Sequence, residues 1–219
     1  FPMCECCFAE YHDPSDRRFH AQPIACNECG PELSFVSGSV SVHREAAIAA
    51  AIRALHEGKT IAVKGLGGYH LACKADDSDA VQLLRSRKHR GDKPFALLAR
   101  DLDAVRVLAE VSDDEASLLQ SPQAPIVLLR PARSDRAQAI ARNVAPGNGR
   151  VGIMLPPTPL HLLLMSEHPD VAIPPLDAIV LTSCNLSDEP ICIDDEQLMA
   201  NFGELADAFL MHNRRIHLP

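Results

Sequence analysis

Apolar positions recur with two different periods along most of the chain, and they predict strands alternating with helices. Ile48, Ile52 and Leu55 lie at i, i+4 and i+7, which predicts a helix over Ala46–Leu55 with Gly58 placed to stop it. Thr60–Val63 has the composition of a short buried strand, and Tyr69–Cys73 of another. Ser78 is placed to cap a helix over Ala80–Arg87. A strand over Phe95–Leu98 and a helix over Leu102–Leu108 follow, and Ser112-Asp113-Asp114-Glu115 carries the capping-box pattern of one more helix. Strands are expected at Ile126–Leu129 and Val151–Met154. Between them the polar stretch Pro131–Arg150, with Pro146-Gly147-Asn148-Gly149, is expected to be a long loop. Thr158-Pro159 suits the start of a helix over Leu160–Met165. Ile179–Thr182 is a strand, Asp194 to Gln197 opens a helix, and Ala208–Met211 closes the series. The alternation predicts an α/β (α+β) fold, a twisted sheet flanked by helices.

Residues 1–36 break this pattern: cysteine, proline and charge are frequent and periodic apolar stretches are absent. Ser37-Gly38-Ser39 marks a linker, so the chain divides into a small module over 1–36 and a sheet domain over 37–219. With 47% hydrophobic residues the larger part can bury a sizeable core, and with 4% aromatics and no Trp that core must be built from Ala, Val, Leu and Ile. The net charge of −8 argues against wrapping duplex nucleic acid. No apolar run approaches the ~20 residues that span a bilayer, and no leader precedes the module, so a reducing cytoplasm is expected. The chain opens on Phe1-Pro2-Met3-Cys4 and stops at His217-Leu218-Pro219, as though cut from something longer.

Of the eight cysteines, four form Cys4-x2-Cys7 and Cys26-x2-Cys29. Two such pairs suit a tetrahedral, structural zinc site, whose metal would supply the folding energy that so small a module lacks. Disulfides and a redox pair are the competing uses of the same spacing, and Cys6 competes with Cys7 as a ligand.

An acidic chain that gathers Arg85, Arg87, Lys88, Arg90 and Lys93 in one run implies a local anion partner, with a solvated basic helix end as the bland alternative. Lys64-Gly65-Leu66-Gly67-Gly68-Tyr69-His70 directly follows a strand, where glycines let backbone N–H groups approach a ligand; a plain tight turn is the alternative. Ser183 and Asn185 follow another strand and project to one side, as ligand groups or as an ordinary turn. His212, Arg214 and Arg215 follow the last. Ligands of open α/β sheets gather at such strand ends.

Taken in order, these segments resemble the HypF family. The resemblance is carried by Cys4 to Cys7 with Glu10 to Pro23 and Cys26 to Pro31; by Val63 to Leu71; by Leu84-Arg85-x-Arg87-Lys88-x-Arg90-x-x-Lys93-Pro94-Phe95; by Met154-Leu155-Pro156 with Thr158 to His161; by Thr182-Ser183-x-Asn185-Leu186-Ser187-x-Glu189-Pro190-Ile191; and by His212-Asn213-Arg214. It implies the second zinc finger and the YrdC-like domain of a carbamoyltransferase that serves nickel–iron hydrogenase maturation. The acylphosphatase and carbamoyl-transfer domains of that family would be missing. The implied reaction joins carbamate, made from carbamoyl phosphate, to ATP as carbamoyl-adenylate; a further domain then delivers the carbamoyl group to HypE.

On that resemblance Lys88, Arg90 and Lys93 would neutralise the triphosphate beside Mg²⁺, with Lys64, Gly67 and Gly68 lining the carbamate pocket. Ser183 and Asn185 would hold the adenylate and Arg214 would close over it. Tyr69 and His212 complete the nucleotide set. Three positions depart from the family pattern: Lys74, expected to be acidic, Cys184, expected to be glycine, and Pro157, expected to be aromatic. The alternatives are a threonylcarbamoyl-adenylate synthase acting in tRNA modification, which shares the scaffold, and a zinc-ribbon RNA-binding module.

Overall fold

Helix-capping chemistry sets most element boundaries in the chain. A computed structural model describes residues 2–185 and 189–218; Leu186 and Ser187 of the family motif lie outside them. The elements are helix α1 (Glu5–His12), strands β1 (Leu33–Ser37) and β2 (Val40–His43), α2 (Glu45–His56), β3 (Ile61–Lys64), β4 (Tyr69–Lys74), α3 (Ser78–Arg87), β5 (Ala96–Ala99), α4 (Leu102–Leu108), β6 (Ala109–Glu110), α5 (Asp113–Leu119), β7 (Val127–Pro131), α6 (Asp135–Val144), β8 (Val151–Met154), α7 (Pro159–Leu164), β9 (Ala178–Ser183), α8 (Asp195–Asn201), a 3₁₀ turn (Gly203–Leu205) and β10 (Ala208–His212). The expected capping box forms, with Ser112 Oγ accepting from Glu115 N and Glu115 Oε2 accepting from Ser112 N at 2.9 Å. Thr158 caps α7 and Asp194 caps α8, as expected.

Three expectations need correction. Asp77, not Ser78, caps α3: its Oδ1 accepts from Asp79 N at 3.1 Å and Ala80 N at 3.0 Å, so Ser78 is already helical. The stretch 131–150 is not a long loop, because it holds α6, started by Ser134 Oγ accepting from Ala137 N at 3.2 Å. That helix buries Ala137, Ile140, Ala141 and Val144 at i, i+3, i+4 and i+7. Its apolar stripe is half alanine and is diluted by Arg136, Gln138 and Arg142, so the period is faint in sequence. Ser37-Gly38-Ser39 is the turn of the β1–β2 hairpin, with Gly38 at φ +57°, rather than a linker. Hairpin turns and linkers use the same small residues. The sheet therefore begins at Leu33, whose partner is His212.

The ten strands form one mixed sheet in the order β2-β1-β10-β3-β4-β9-β5-β8-β7-β6. Alternation along each strand divides the core between its two faces. Tyr69, Leu71 and Cys73 of β4 pack with α3, α4, α6 and α8 on one face. Ala72 packs with α2 and α7 on the other, beside Val63, Leu98 and Leu181. Lys64 pairs with Tyr69, His70 with Ser183, and Ala96 with both Leu181 and Gly152, so these residues share one end of the sheet. That end is where the chemistry collects. Among the described residues no helix is long and apolar enough to cross a membrane.

Candidate functional site

The four paired cysteines converge. Cys4 and Cys26 Sγ lie 3.6 Å apart, Cys26 and Cys29 3.9 Å, and Cys29 and Cys7 3.6 Å. These separations are far too long for disulfide bonds and match the about 3.8 Å edge of a tetrahedron whose centre is 2.3 Å from each sulfur. All four ligand atoms lie within 4.8 Å of one another and can hold a metal ion. Cys6 is exposed and outside the cluster. Cys4 also caps α1, accepting from Cys7 N at 3.5 Å, so helix and knuckle start together. Arg18 brings positive charge to the cluster, 3.7 Å from Cys7 Sγ, and is held by Glu10 at 2.6 Å and the Ala25 carbonyl at 2.7 Å.

Most of the cationic run turns inward. Arg85 is buried and donates to the carbonyls of Gly91, Lys93, Asn143 and Val144, with its guanidinium 4.6 Å from the centre of the Phe95 ring. Arg87 makes a forked pair with Asp207 at 2.6 and 3.1 Å. Lys88, 3% exposed, directs its ammonium at the carbonyls of Ser183 (2.7 Å) and Asn185 (2.8 Å) and at Asn185 Oδ1 (3.1 Å). Burial, and behind it Arg90, pull its pKa down to about 8. Lys88 is therefore a clamp on the turn after β9. Arg90 and Lys93 are more open than Arg85 and Lys88. Arg90 stacks on Phe95 at 4.8 Å, is fixed by the Pro94 carbonyl at 2.7 Å and reaches Thr182 Oγ1 at 3.4 Å. Lys93 is exposed next to Pro94.

Arg90 opens on a cleft of about 570 Å³ at the chemical end of the sheet. Its polar wall is His70, Arg90, Thr182 and Ser183; Ile126, Leu128, Met154 and Pro157 form the apolar wall. Ile126 is 55% and Leu128 60% exposed, so that wall is bare. Ser183 Oγ donates to Asn185 Oδ1 at 2.8 Å, and Asn185 Nδ2 donates to the Glu189 carbonyl at 2.7 Å.

Lys64 and Tyr69 fall on the opposite face from His70 and Ser183. Lys64 Nζ, 3% exposed, sits 2.6 Å from Asp195 Oδ1 and donates to the His212 carbonyl at 2.9 Å. The Tyr69 hydroxyl donates to the same carboxylate oxygen at 2.7 Å, and burial first, then Asp195, push its pKa upward. Beside this triad runs a groove of about 800 Å³, lined by Asp195, Met199, His212 and Asn213 among others. Gly67 and Gly68 belong to a turn closed by Gly65 N on the Gly68 carbonyl at 2.8 Å. Arg214 is exposed beyond β10. Lys74 lies at the far end of β4, 3.4 Å from Asp76, and so does not charge the cleft.

Residues 53–219 match the Sua5/YciO/YrdC family, described as telomere recombination, and residues 3–36 match the HypF finger. The chain belongs to the Sua5/YciO/YrdC family. It is a HypF finger followed by a YrdC-like domain. Over 216 residues it is 49% identical to carbamoyltransferase HypF of Rhodobacter capsulatus, covering 99% of this chain and 27% of that protein. Full-length HypF in its phosphate- and nucleotide-bound form superposes on the whole chain with a TM-score of 0.83 and 46% identity, and T. kodakarensis HypF with 0.85 and 36%. This chain spans 27% of each of those two proteins.

Within the YrdC-like domain, sequence reasoning missed the inward roles of Arg85 and Lys88, the apolar cleft wall, Asp195, and a pair of histidines. Nothing in a linear run of cations distinguishes a side chain that meets its own backbone from one that meets solvent. Gly68 faces Ile191 instead of open space: a Cβ there would lie 2.5 to 2.9 Å from three Ile191 side-chain carbons. Gly68→Ala is expected to lower stability by ~1–3 kcal/mol through overpacking, read as a lower denaturant midpoint. Ile191→Ala in the same chain should restore most of it.

Proposed function

We propose that the YrdC-like domain condenses ATP with carbamate to carbamoyl-adenylate, one step of HypF-type carbamoyl transfer. The observation that carries this reading is the cleft itself, where a bare apolar wall faces Arg90, Thr182, Ser183 and His70. An aromatic base and ribose suit the apolar side, and phosphates suit the cationic mouth at Arg90 and Lys93. The naming of the relatives as carbamoyltransferases, and the nucleotide-bound state of one of them, support the same assignment.

In this reaction a carbamate oxygen attacks the α-phosphorus and pyrophosphate leaves, so the site must align two anions and stabilise charge. Arg90, preset by Phe95 and Pro94, is placed to meet phosphate oxygens with Lys93 beside it. The Lys88 clamp fixes the Ser183–Asn185 turn against which the adenylate would lie. ATP enters as its Mg²⁺ complex, and no general base is needed because carbamate is already anionic. Lys64, neutralised by Asp195 on the other face, and Tyr69, hydrogen-bonded to the same carboxylate, act in this reading as supports of the Gly65–Gly68 turn, with His212 beside them.

The four-cysteine cluster is assigned to structural Zn²⁺, since four thiolates leave no open position. Carbamoyl phosphate is the implied source of carbamate. An acylphosphatase domain, a carbamoyl-transfer domain and HypE are the partners in a complete HypF, and the cytoplasm is the compartment.

The test is exchange of labelled pyrophosphate into ATP. Label should enter ATP when carbamoyl phosphate and an acylphosphatase are supplied, and not with threonine plus bicarbonate. Exchange with threonine plus bicarbonate alone would overturn the reading in favour of a threonylcarbamoyl-adenylate synthase.

A further inference from the structure

Two histidines meet edge-on at the cleft, and the phosphate chemistry uses neither. His70 on β4 lines the cleft, while His161 on α7 is 1% exposed. Their ring centres are 5.8 Å apart at an interplanar angle of 67°. Each carries a buried ring nitrogen without a hydrogen-bond partner among the described residues, Nδ1 in His70 and Nε2 in His161. An orphaned buried polar atom is costly, and a fold retains one where a ligand or a bound water supplies the missing partner.

The neighbours hold the two rings in one arrangement. Thr158 Oγ1 accepts from His161 N at 3.3 Å as the α7 cap and lies 2.6 Å from His161 Nδ1. Donation from this hydroxyl to Nδ1 places the His161 proton on Nε2, the tautomer that the ¹⁵N shifts below test. Gly65 makes room for His70: a Cβ at position 65 would lie 2.8 Å from His70 Cε1 and 2.9 Å from Nδ1. Burial lowers the pKa of both rings, that of His161 to about 4 with His70 as the second cause. The charged group that lines the cleft with His70 is Arg90.

We propose that His70 contacts the small-acid co-substrate of the adenylation, and that His161, oriented by Thr158, is the residue that positions it. This rests on the function proposed above. Two neutral imidazoles are poor phosphate ligands. A neutral imidazole nitrogen of His70, held in one orientation by His161, can meet one group of the N–C–O edge of carbamate, which presents an N–H and an oxygen side by side. Arg90 and Lys93 meet the phosphates, and the histidine pair selects the acid.

The experiment is carbamate-dependent pyrophosphate exchange by the whole chain, with ATP affinity measured separately by calorimetry. His70→Ala should raise the carbamate KM at least tenfold and leave ATP affinity unchanged. His161→Phe keeps a ring without nitrogens and should give a smaller rise of the same kind. Thr158→Val should do so too, and Thr158→Ser should restore wild-type behaviour. Imidazole ¹⁵N shifts should show His161 as a single Nε2–H tautomer in the wild type and a mixture in Thr158→Val. Wild-type exchange with an unchanged carbamate KM in His70→Ala and His70→Gln overturns this inference and leaves the adenylation reading standing. ATP affinity falling in parallel with carbamate affinity overturns it as well. A wild-type chain that binds ATP but shows no carbamate-driven exchange overturns both.

Discussion

Stripping the metal with a chelator will unfold residues 3–32 while the ten-stranded sheet stays folded. The N-terminal module has one buried hydrophobic residue, Cys7, itself a ligand, so apolar burial cannot hold it. A structural zinc centre contributes ~10–16 kcal/mol in zinc-finger peptides at neutral pH. The loss is confined because the sheet's first strand is anchored independently, Leu33 through Val36 pairing with β10. Trypsin reports the change at Arg18, whose guanidinium is held against Glu10, the Ala25 carbonyl and Cys7. Cleavage there should accelerate at least a hundredfold on chelation and equally in Cys26→Ser, whereas Cys6→Ser should keep stoichiometric metal. A Cys26→Ser chain that retains one zinc and its protease resistance would refute the assignment.

Replacing Lys88 with Met should weaken ATP binding by two orders of magnitude and also destabilise the fold. A charged residue among a basic run suggests a pure ligand effect, but three oxygens depend on this ammonium. Met removes the donor that the Ser183 and Asn185 carbonyls share, while Asn185 Oδ1 keeps only Ser183 Oγ. Arg90→Ala, by contrast, should weaken ATP with little change in stability, because its carbonyl contacts are exposed.

The pH dependence separates the two roles of Lys88. Its folded pKa of about 8 lies below the ordinary 10.5, so between those values the unfolded chain binds more protons and stability rises with pH. The rise due to this group is about 3 kcal/mol at most. ATP affinity moves the other way, falling as the clamp loses its charge above pH 8. Both trends should vanish in Lys88→Met, with unfolding midpoints and calorimetric Kd as the readouts. A mutant whose pH profiles parallel the wild type would disprove the clamp.

The elements after residue 43 were largely legible in the sequence, because local signals set them. Ser112 with Glu115, Thr158 with Pro159, and the i, i+4, i+7 series of α2 each act within two turns of chain. The four-cysteine centre was legible for the same reason: each knuckle is local, and only their meeting is tertiary. Where the pattern failed, the signal was weak or shared. The α6 stripe is half alanine, and Ser37-Gly38-Ser39 has the composition of a linker and of a hairpin turn alike.

What the residue order settled alone was the alternation of strand and helix, the metal-binding knuckles and the family. Only the folded chain decided what each cation touches. Arg85, Arg87 and Lys88 differ from Arg90 in the partners that distant segments bring to them, namely Asn143, Asp207 and Ser183. It likewise decided that Lys64 and His70, six positions apart, face opposite sides of one sheet, and that His161 comes from α7 to meet His70. Hydrogen bonds and desolvation act over a few ångströms of space, and sequence separation carries almost no information about that distance once the chain has crossed the sheet.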